Sequence, residues 1–266
     1  MTIKVCVAGA TGWTGSLVCK AVLASQELQL VGAIARRQAG QDIGQVLGVG
    51  TTGVRIVESL EEAAKDSPDV LVDFTKPDSV KARTLAALSR GIHVVIGTSG
   101  LAAADFEDIE SHAQAKSLGV IAAGNFSITA ALAKHVSLIA AKYLPSWEII
   151  DYAQADKIDA PSGTARELAE EMAKIKRPEV GYPTRETVGH KDARGTSIDG
   201  TQVHSIRLPG YVIAFETLFG LPHERLTIRH DSGTGAEPYV HGTLLAIRKV
   251  TRIRGMIRGL DKLLFD

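Results

Sequence analysis

Gly9, Gly12 and Gly15 stand as G-A-T-G-W-T-G directly after a β-branched apolar run and at the start of an amphipathic stretch. The first glycine permits a tight turn, the second lets the backbone approach a pyrophosphate, and the third lets helix pack on strand. The helix start, which takes in Thr11, Trp13 and Thr14, offers free N–H groups and a positive dipole end to phosphates. The spacing differs from the commoner G-x-G-x-x-G, and a plain tight turn would use the same glycines. The position at the first strand-to-helix junction favours a dinucleotide. About twenty residues past Gly15, an NAD-selective site carries an acid for the ribose 2′-hydroxyl. Ala35 stands there, followed by Arg36 and Arg37. Two guanidiniums can clamp a 2′-phosphate through several N–H bonds, so NADPH is the expected cofactor, with NADH as the alternative. The plainer alternative is two solvated arginines at a strand end.

A second constellation begins at Lys157 with K-I-D-A-P-S-G-T-A, placing Ser162, Gly163 and Thr164 at another helix start. Backbone amides, a hydroxyl and a nearby lysine form a cradle suited to a small carboxylate. A Pro-Ser helix cap with an incidental lysine would look the same. Lys157, Asp156, Tyr152 and Glu216 are the nearby groups that could hold or transfer a proton. Strand alternation sets Tyr152, Gln154 and Asp156 on one side and Asp151, Ala153 and Ala155 on the other. His93, His204 and His230 fall on strands. His190, His223 and His241 do not group with acids or cysteines at ligand spacing, so no metal is expected.

The elements that must hold these groups change character midway. Up to Ala122, short strands apolar on both faces alternate with amphipathic helices, which predicts a doubly wound parallel α/β sheet. The strands fall at 3–8, 28–34, 54–57, 69–74, 93–96 and 119–122. After Asn125 come a long helix over 129–143, a strand over 147–153 and a helix over 164–174. A Pro- and Gly-bearing excursion over 176–200 reads as a mobile loop. Strands over 203–208, 212–218 and 225–230, joined by short connections, read as an antiparallel sheet. The chain closes with a helix around 239–250 and a short apolar tail. The expected organisation is a Rossmann-type dinucleotide domain over 1–125 and an α+β substrate and oligomerisation domain with an open mixed sheet over 126–238. The closing segment, about 239–266, packs back on the first domain.

The 266 residues carry thirty basic and thirty acidic side chains, so no net field favours nucleic acid or a membrane surface. Apolar residues make up 45% and charged residues 23%, values ordinary for a globular protein. No run of eighteen apolar residues exists to span a bilayer. A strand beginning at Ile3 leaves no room for a signal peptide, and Cys6 and Cys19 read as buried thiols. Both point to a reducing cytoplasm.

With Lys157 two residues ahead of it, D-A-P-S-G-T-A over 159–165 resembles the signature of the dihydrodipicolinate reductases. The resemblance extends to the Gly-rich turn, V-D-F-T at 72–75, V-I-G-T-S-G at 95–100 and G-N-F-S at 124–127. It implies NAD(P)H-dependent reduction of a cyclic imine dicarboxylate in lysine and diaminopimelate synthesis, by a homotetramer. It further implies that Phe74 and Thr75, Gly97, Thr98 and Ser99, and Gly124, Asn125 and Phe126 line the nicotinamide, and that Lys157, Gly163 and Thr164 hold substrate carboxylate. There are departures. The family's H-H-x-x-K is represented by Ala153, Gln154 and Lys157, so a methyl group replaces the family's proton donor. G-E-H-T is represented by Ala214 to Thr217, and Asp231 stands where the family carries a lysine. These changes raise two alternatives: an imine reductase or amine dehydrogenase acting on a less charged molecule, and a non-catalytic NADPH-binding regulatory protein.

Overall fold

The computed structural model describes residues 2–265. In chain order the elements are β1 (Ile3–Ala8), α1 (Trp13–Leu23), β2 (Leu28–Ile34), α2 (Ile43–Leu47), β3 (Ile56–Val57), α3 (Leu60–Ala63), β4 (Val70–Asp73), α4 (Pro77–Ser89), β5 (His93–Ile96), α5 (Ala103–Ala115) and β6 (Gly119–Ala122). There follow α6 (Ile128–Tyr143), β7 (Ser146–Ala153), α7 (Gly163–Ile175), β8 (Thr196–Ile198), β9 (Thr201–Arg207), β10 (Ile213–Leu221) and β11 (Glu224–Asp231). The chain then closes with α8 (Glu237–Val250), β12 (Gly255–Arg258) and α9 (Leu260–Phe265). Two compact units result: one holds the chain up to Ile128 and again from Ala236, and the other is Thr129–Gly235.

The first unit is a seven-stranded parallel sheet in the order β12-β6-β5-β4-β1-β2-β3. Strands such as Val70-Leu71-Val72 are buried on both faces because helices cover both. On one face α3, α4 and α5 contribute Leu60, Val80, Leu88 and Ile109 to a core with Cys6, Leu71 and Val94. Each such side chain, fully buried, contributes about 1.5–3 kcal/mol. Helices α1 and α8 pack against each other, and α8 also meets β4, β5 and β6. The order reverses between β1 and β4, where doubly wound sheets bind ligands at the strands' carboxyl ends.

The closing tail is more than the sequence suggests. Gly255–Arg258 forms β12, paired parallel with β6, and so completes the first sheet. Four residues with an arginine among them give too short a run for a periodic signal.

The second unit is a five-stranded mixed sheet, β11-β10-β7-β9-β8. One face packs Trp147, Ile149, Val203, Phe215 and Phe219 against α6 and α7. The expected run of three antiparallel neighbours is corrected here. β10 and β11 do pair antiparallel, but β7 lies between β10 and β9, antiparallel to the first and parallel to the second. Alternation fixes which face a residue takes, whereas it does not fix which strand lies alongside. The excursion over 176–200 also holds structure. Two short 3₁₀ turns, Thr184–Glu186 and Lys191–Arg194, precede β8, which forms a hairpin with β9. The hairpin turns at Asp199-Gly200, both with positive φ, as a type I′ turn requires.

No helix among the described residues is long and apolar enough to cross a membrane. Among the same residues, no group of three His, Cys, Asp or Glu side chains is placed to hold a metal.

Candidate functional site

The Gly-rich turn is shaped by contacts that exclude side chains. Gly9 has φ +80°, and a Cβ there would collide with the Phe74 carbonyl oxygen. A Cβ on Gly15 would strike the Gly9 carbonyl, so the third glycine seats α1 against the turn. Gly12 is the N-cap of α1 and offers no side chain to cap the first-turn amides, leaving them to an external anion. Beside the turn lies a cavity of about 350 Å³ bounded by Gly9, Thr11 and Gly12, by Ala35, Arg36 and Arg37 after β2, and by Phe74 and Thr75 after β4.

The same cavity takes in Lys76, in the loop that the resemblance assigns to the nicotinamide, and groups that sequence reasoning missed: Glu58 just past β3, Asp78 at the start of α4, and Arg83 further along that helix. Their signal was positional. They follow the carboxyl ends of strands beside the switch point, where ligands bind.

The remaining cofactor candidates belong to the same unit but are not among the residues that line this cavity. Trp13 is 58% exposed and meets Tyr239 edge-on at 5.9 Å, and Thr14 is half-buried in the first turn of α1. Gly97 lies against the Phe74 ring, where a Cβ would clash. Phe126, fully buried, packs edge-on to Phe74 at 5.9 Å, so Phe74 joins the loops after β4, β5 and β6. Thr98 Oγ1 accepts the Thr75 N–H at 2.9 Å, and Asn125 Oδ1 accepts the Ser127 N–H at 2.8 Å. Ser99 and Gly124 are exposed at the loop tips. Close glycine approaches, an uncapped helix start and cationic side chains together fit a dinucleotide.

In the second unit Ser162 caps α7, its Oγ accepting the Ala165 N–H at 3.3 Å. Beneath it Asp151 is completely buried and accepts four donors: the Ser162 N–H at 2.8 Å, the Ser162 hydroxyl at 2.6 Å, the Ser205 hydroxyl at 3.3 Å and Arg207 Nη2 at 2.7 Å. Arg207 Nη2 also donates to the Asp159 carbonyl at 2.7 Å, so one guanidinium holds the Asp159 end of the loop directly and the Ser162 end through Asp151. Gly163 faces open space: a Cβ there would meet nothing within 4 Å. Lys157 is half-buried and sits 2.5 Å from Asp159 Oδ1, which holds that carboxyl below the usual carboxylate range. Thr164 is half-buried at the first turn, and Gln154 and Asp156 are exposed in the turn that follows β7.

Strand β7 divides the candidates for proton transfer. Asp151 and Ala153 face the helices, with the cradle. Tyr152 takes the other face, where its hydroxyl donates to Glu216 at 3.1 Å and its ring lies 5.0 Å from that of Tyr211. Burial, then Glu216, pushes the phenol above its ordinary pKa. Arg229 lies over the Tyr152 ring, donates to Glu216 at 3.3 Å and grips Asp231 through two bonds of 2.7 and 2.9 Å. Tyr152 and Glu216 thus stand apart from Lys157, turned away from Ser162 by the pleat.

The chain matches two family models, the dihydrodipicolinate reductase N-terminus over residues 3–126 and the C-terminus over 125–264. It is 41% identical to a 4-hydroxy-tetrahydrodipicolinate reductase of Moorella thermoacetica, over 99% of this chain and 98% of that one. A protein of the same name from Desulfitobacterium hafniense is 39% identical over 98% of each. Among solved structures, dipicolinate-bound dihydrodipicolinate reductase from Paenisporosarcina sp. TG-14 superposes with a TM-score of 0.86 and 31% identity, covering 99% of this chain and 100% of that one. An amine dehydrogenase from Mycobacterium smegmatis, 16% identical with a TM-score of 0.70 over 98% and 96% of the two chains, shares the fold. Family models that together span residues 3–264, and relatives about 40% identical over nearly the whole chain, place this chain in the dihydrodipicolinate reductase family.

Proposed function

We propose that this chain uses NADPH to reduce the C=N bond of a cyclic imine that carries carboxylates, the substrate named for its relatives. The observation that carries the reading is the α7 cradle: Ser162, Gly163 and Thr164 presented on a helix start, fixed from below by Asp151 and Arg207, with Lys157 on the same loop. A carboxylate would accept from the Gly163 and Thr164 amides and the Thr164 hydroxyl, with Lys157 Nζ as the charged donor. Arg36 and Arg37 bracket the 2′-phosphate, while Gly9, Gly12 and the first-turn amides of α1 receive the pyrophosphate. Phe74, Thr75, Gly97, Thr98 and Ser99, with Gly124, Asn125 and Phe126, form the nicotinamide wall. When bound, the dihydronicotinamide supplies the hydride, and the protein supplies placement and charge.

Ala153 cannot donate a proton, and Tyr152 is turned to the other face with its phenol held neutral. Lys157, whose ammonium pairs with Asp159 on the loop that leads into the cradle, is the chain's own donor candidate, with Asp156, exposed in the turn after the strand, as the other. An imine basic enough to arrive protonated needs no strong general acid. The sheet face bearing Ile150, Tyr152 and Glu216 is left uncovered by α6 and α7, which supports self-association through it, with a tetramer expected from the resemblance.

A second reading, reduction of a less charged imine, is favoured by Ala153 and Gln154 standing where the family carries its paired histidines. The experiment follows NADPH oxidation with enzymatically generated hydroxy-tetrahydrodipicolinate beside a panel of simple cyclic imines and amine-plus-ketone pairs. Turnover of the dicarboxylate at ordinary enzyme rates is expected. Silence on it with turnover of a simpler imine would establish the second reading, and NADPH binding without any turnover would leave a regulatory protein.

A further inference from the structure

Asp73 ends β4 with its carboxylate fully buried, although the three residues before it are apolar. A buried carboxylate is costly unless donors surround it. Arg83 Nη1, reaching from α4, donates to Oδ2 at 2.6 Å. Oδ1 accepts from the Thr75 N–H at 2.9 Å, the Thr75 hydroxyl at 2.6 Å and the Thr98 hydroxyl at 3.2 Å. The cluster is also bonded within itself, since Arg83 Nη1 donates to Thr75 Oγ1 at 2.9 Å and the Thr75 N–H reaches Thr98 Oγ1 at 2.9 Å. Each contact ties together segments that would otherwise move separately: the loop after β4, the loop after β5 and the first two turns of α4.

We propose that Asp73 and Arg83 are positioning residues, a clasp that holds the loops at 74–76 and 97–100 as one rigid wall for the nicotinamide end of the coenzyme. The inference rests on the reading that these loops line the nicotinamide. Two physical arguments give the clasp a purpose beyond folding. Replacing a buried ion pair by well-packed apolar side chains is often neutral or stabilising, so the fold alone does not call for charge at this strand end. Two loops held in their binding geometry beforehand spare the ordering cost on association, so the clasp acts on affinity. Arg83 also borders the coenzyme cavity, with an 18% exposed side chain, so the buried carboxylate is linked directly to the cavity wall.

The test titrates NADPH into the purified full-length protein by fluorescence, for the wild type, Arg83→Gln, Arg83→Lys and Thr98→Val. Arg83→Gln should raise the NADPH dissociation constant by about tenfold and lower kcat, as expected when preorganisation is lost. The KM for the imine at saturating NADPH should stay within about twofold, because its anchors are on the other unit. Arg83→Lys keeps the charge and should recover most of the affinity, which a purely structural role, read out only in the melting temperature, would not require. Thr98→Val leaves the ion pair intact and removes one hydroxyl. It should weaken NADPH by roughly threefold or more, and it decides the matter if Arg83→Gln does not fold. Unchanged NADPH affinity in folded Arg83→Gln or in Thr98→Val would overturn the clasp, as would Arg83→Lys behaving no better than Arg83→Gln. Failure of the wild type to bind NADPH would overturn the cofactor reading beneath it as well.

Discussion

Ser162→Ala removes a single oxygen with two jobs. That oxygen accepts the Ala165 N–H as the α7 cap and donates to Asp151 Oδ1 at 2.6 Å. The other three donors to Asp151, namely the Ser162 N–H, Ser205 and Arg207, all converge on Oδ2. The variant therefore leaves Oδ1 buried without its donor. Losing a Ser cap costs about 1 kcal/mol. Leaving a buried acceptor unsatisfied costs about 1–3 kcal/mol. Together the expected loss is about 2–4 kcal/mol, or roughly 5–15 °C in melting temperature for a chain of this size. Circular dichroism melts and urea midpoints of the wild type and Ser162→Ala measure it directly, with Ser162→Thr as the variant that keeps the hydroxyl. Because the hydroxyl also orients the Gly163 and Thr164 amides, KM for the dicarboxylate should rise about tenfold while NADPH affinity stays within twofold. A melting temperature lowered by less than 2 °C, with an unchanged KM, would refute the argument that Asp151 holds the cradle through this residue.

Lys157→Ala removes the cradle's charged donor and should raise the dicarboxylate KM by roughly tenfold to a hundredfold without altering NADPH binding. Weakened NADPH binding instead would move this lysine out of the substrate site. Arg36→Ala should lower the NADPH-over-NADH preference at least several-fold in steady-state assays, since a phosphate clamp is charge-assisted. An unchanged ratio would make Arg36 a surface residue. Burial, then Arg254, holds the His93 pKa below its ordinary value, and burial does the same for His230. A lowered folded-state pKa means stability is fully present above the unfolded value of about 6.5 and is lost as pH falls through the folded value. His93 Nδ1 accepts the Gly119 N–H at 2.9 Å, a bond that protonation would break. Urea midpoints should therefore decline from pH 7 to pH 5, and less steeply in His93→Gln; an identical slope in the variant would discount this histidine.

The parallel sheet was legible because its strands are apolar on both faces, and Gly9, Gly12 and Gly15 fall at its first turn. Sequence also marked Lys157 and the Ser162 cap, whose residue types carry local geometry. Less local features were hidden. That β7 inserts between β9 and β10 depends on partner choice across the sheet, and no period in the chain encodes it. β8 could have been found, since Asp199-Gly200 flanked by Ser197-Ile198 and Thr201-Gln202 is a strong hairpin signal. Glu58, Asp78 and Arg83 border the cavity beside the Gly-rich turn, and only their position after the sheet's strands hinted at it. Asp151, hydrogen-bonded to the cradle, reads in sequence only as an acid in a strand.

The two faces of β7 bear on how the departures from the family pattern act. Read from sequence, Asp231 in place of a lysine should weaken a dianionic substrate. Yet Arg229 binds the Asp231 carboxylate through two bonds and also reaches Glu216, which the Tyr152 hydroxyl contacts in turn. The pair lowers the Asp231 pKa, so the acid stays ionised and satisfied by its own counter-ion. All four residues occupy the sheet face opposite Asp151 and Ser162. The change of sign at position 231 is therefore compensated within that face, and the cradle keeps its cation. Asp231→Lys should accordingly fail to improve the dicarboxylate KM. It would set a second cation beside Arg229, and the protein should melt at lower temperature or associate more weakly, as sedimentation would report. A tenfold fall in KM in that variant would mean that the 231 side chain faces substrate after all, and the assignment of the two faces would have to be reversed.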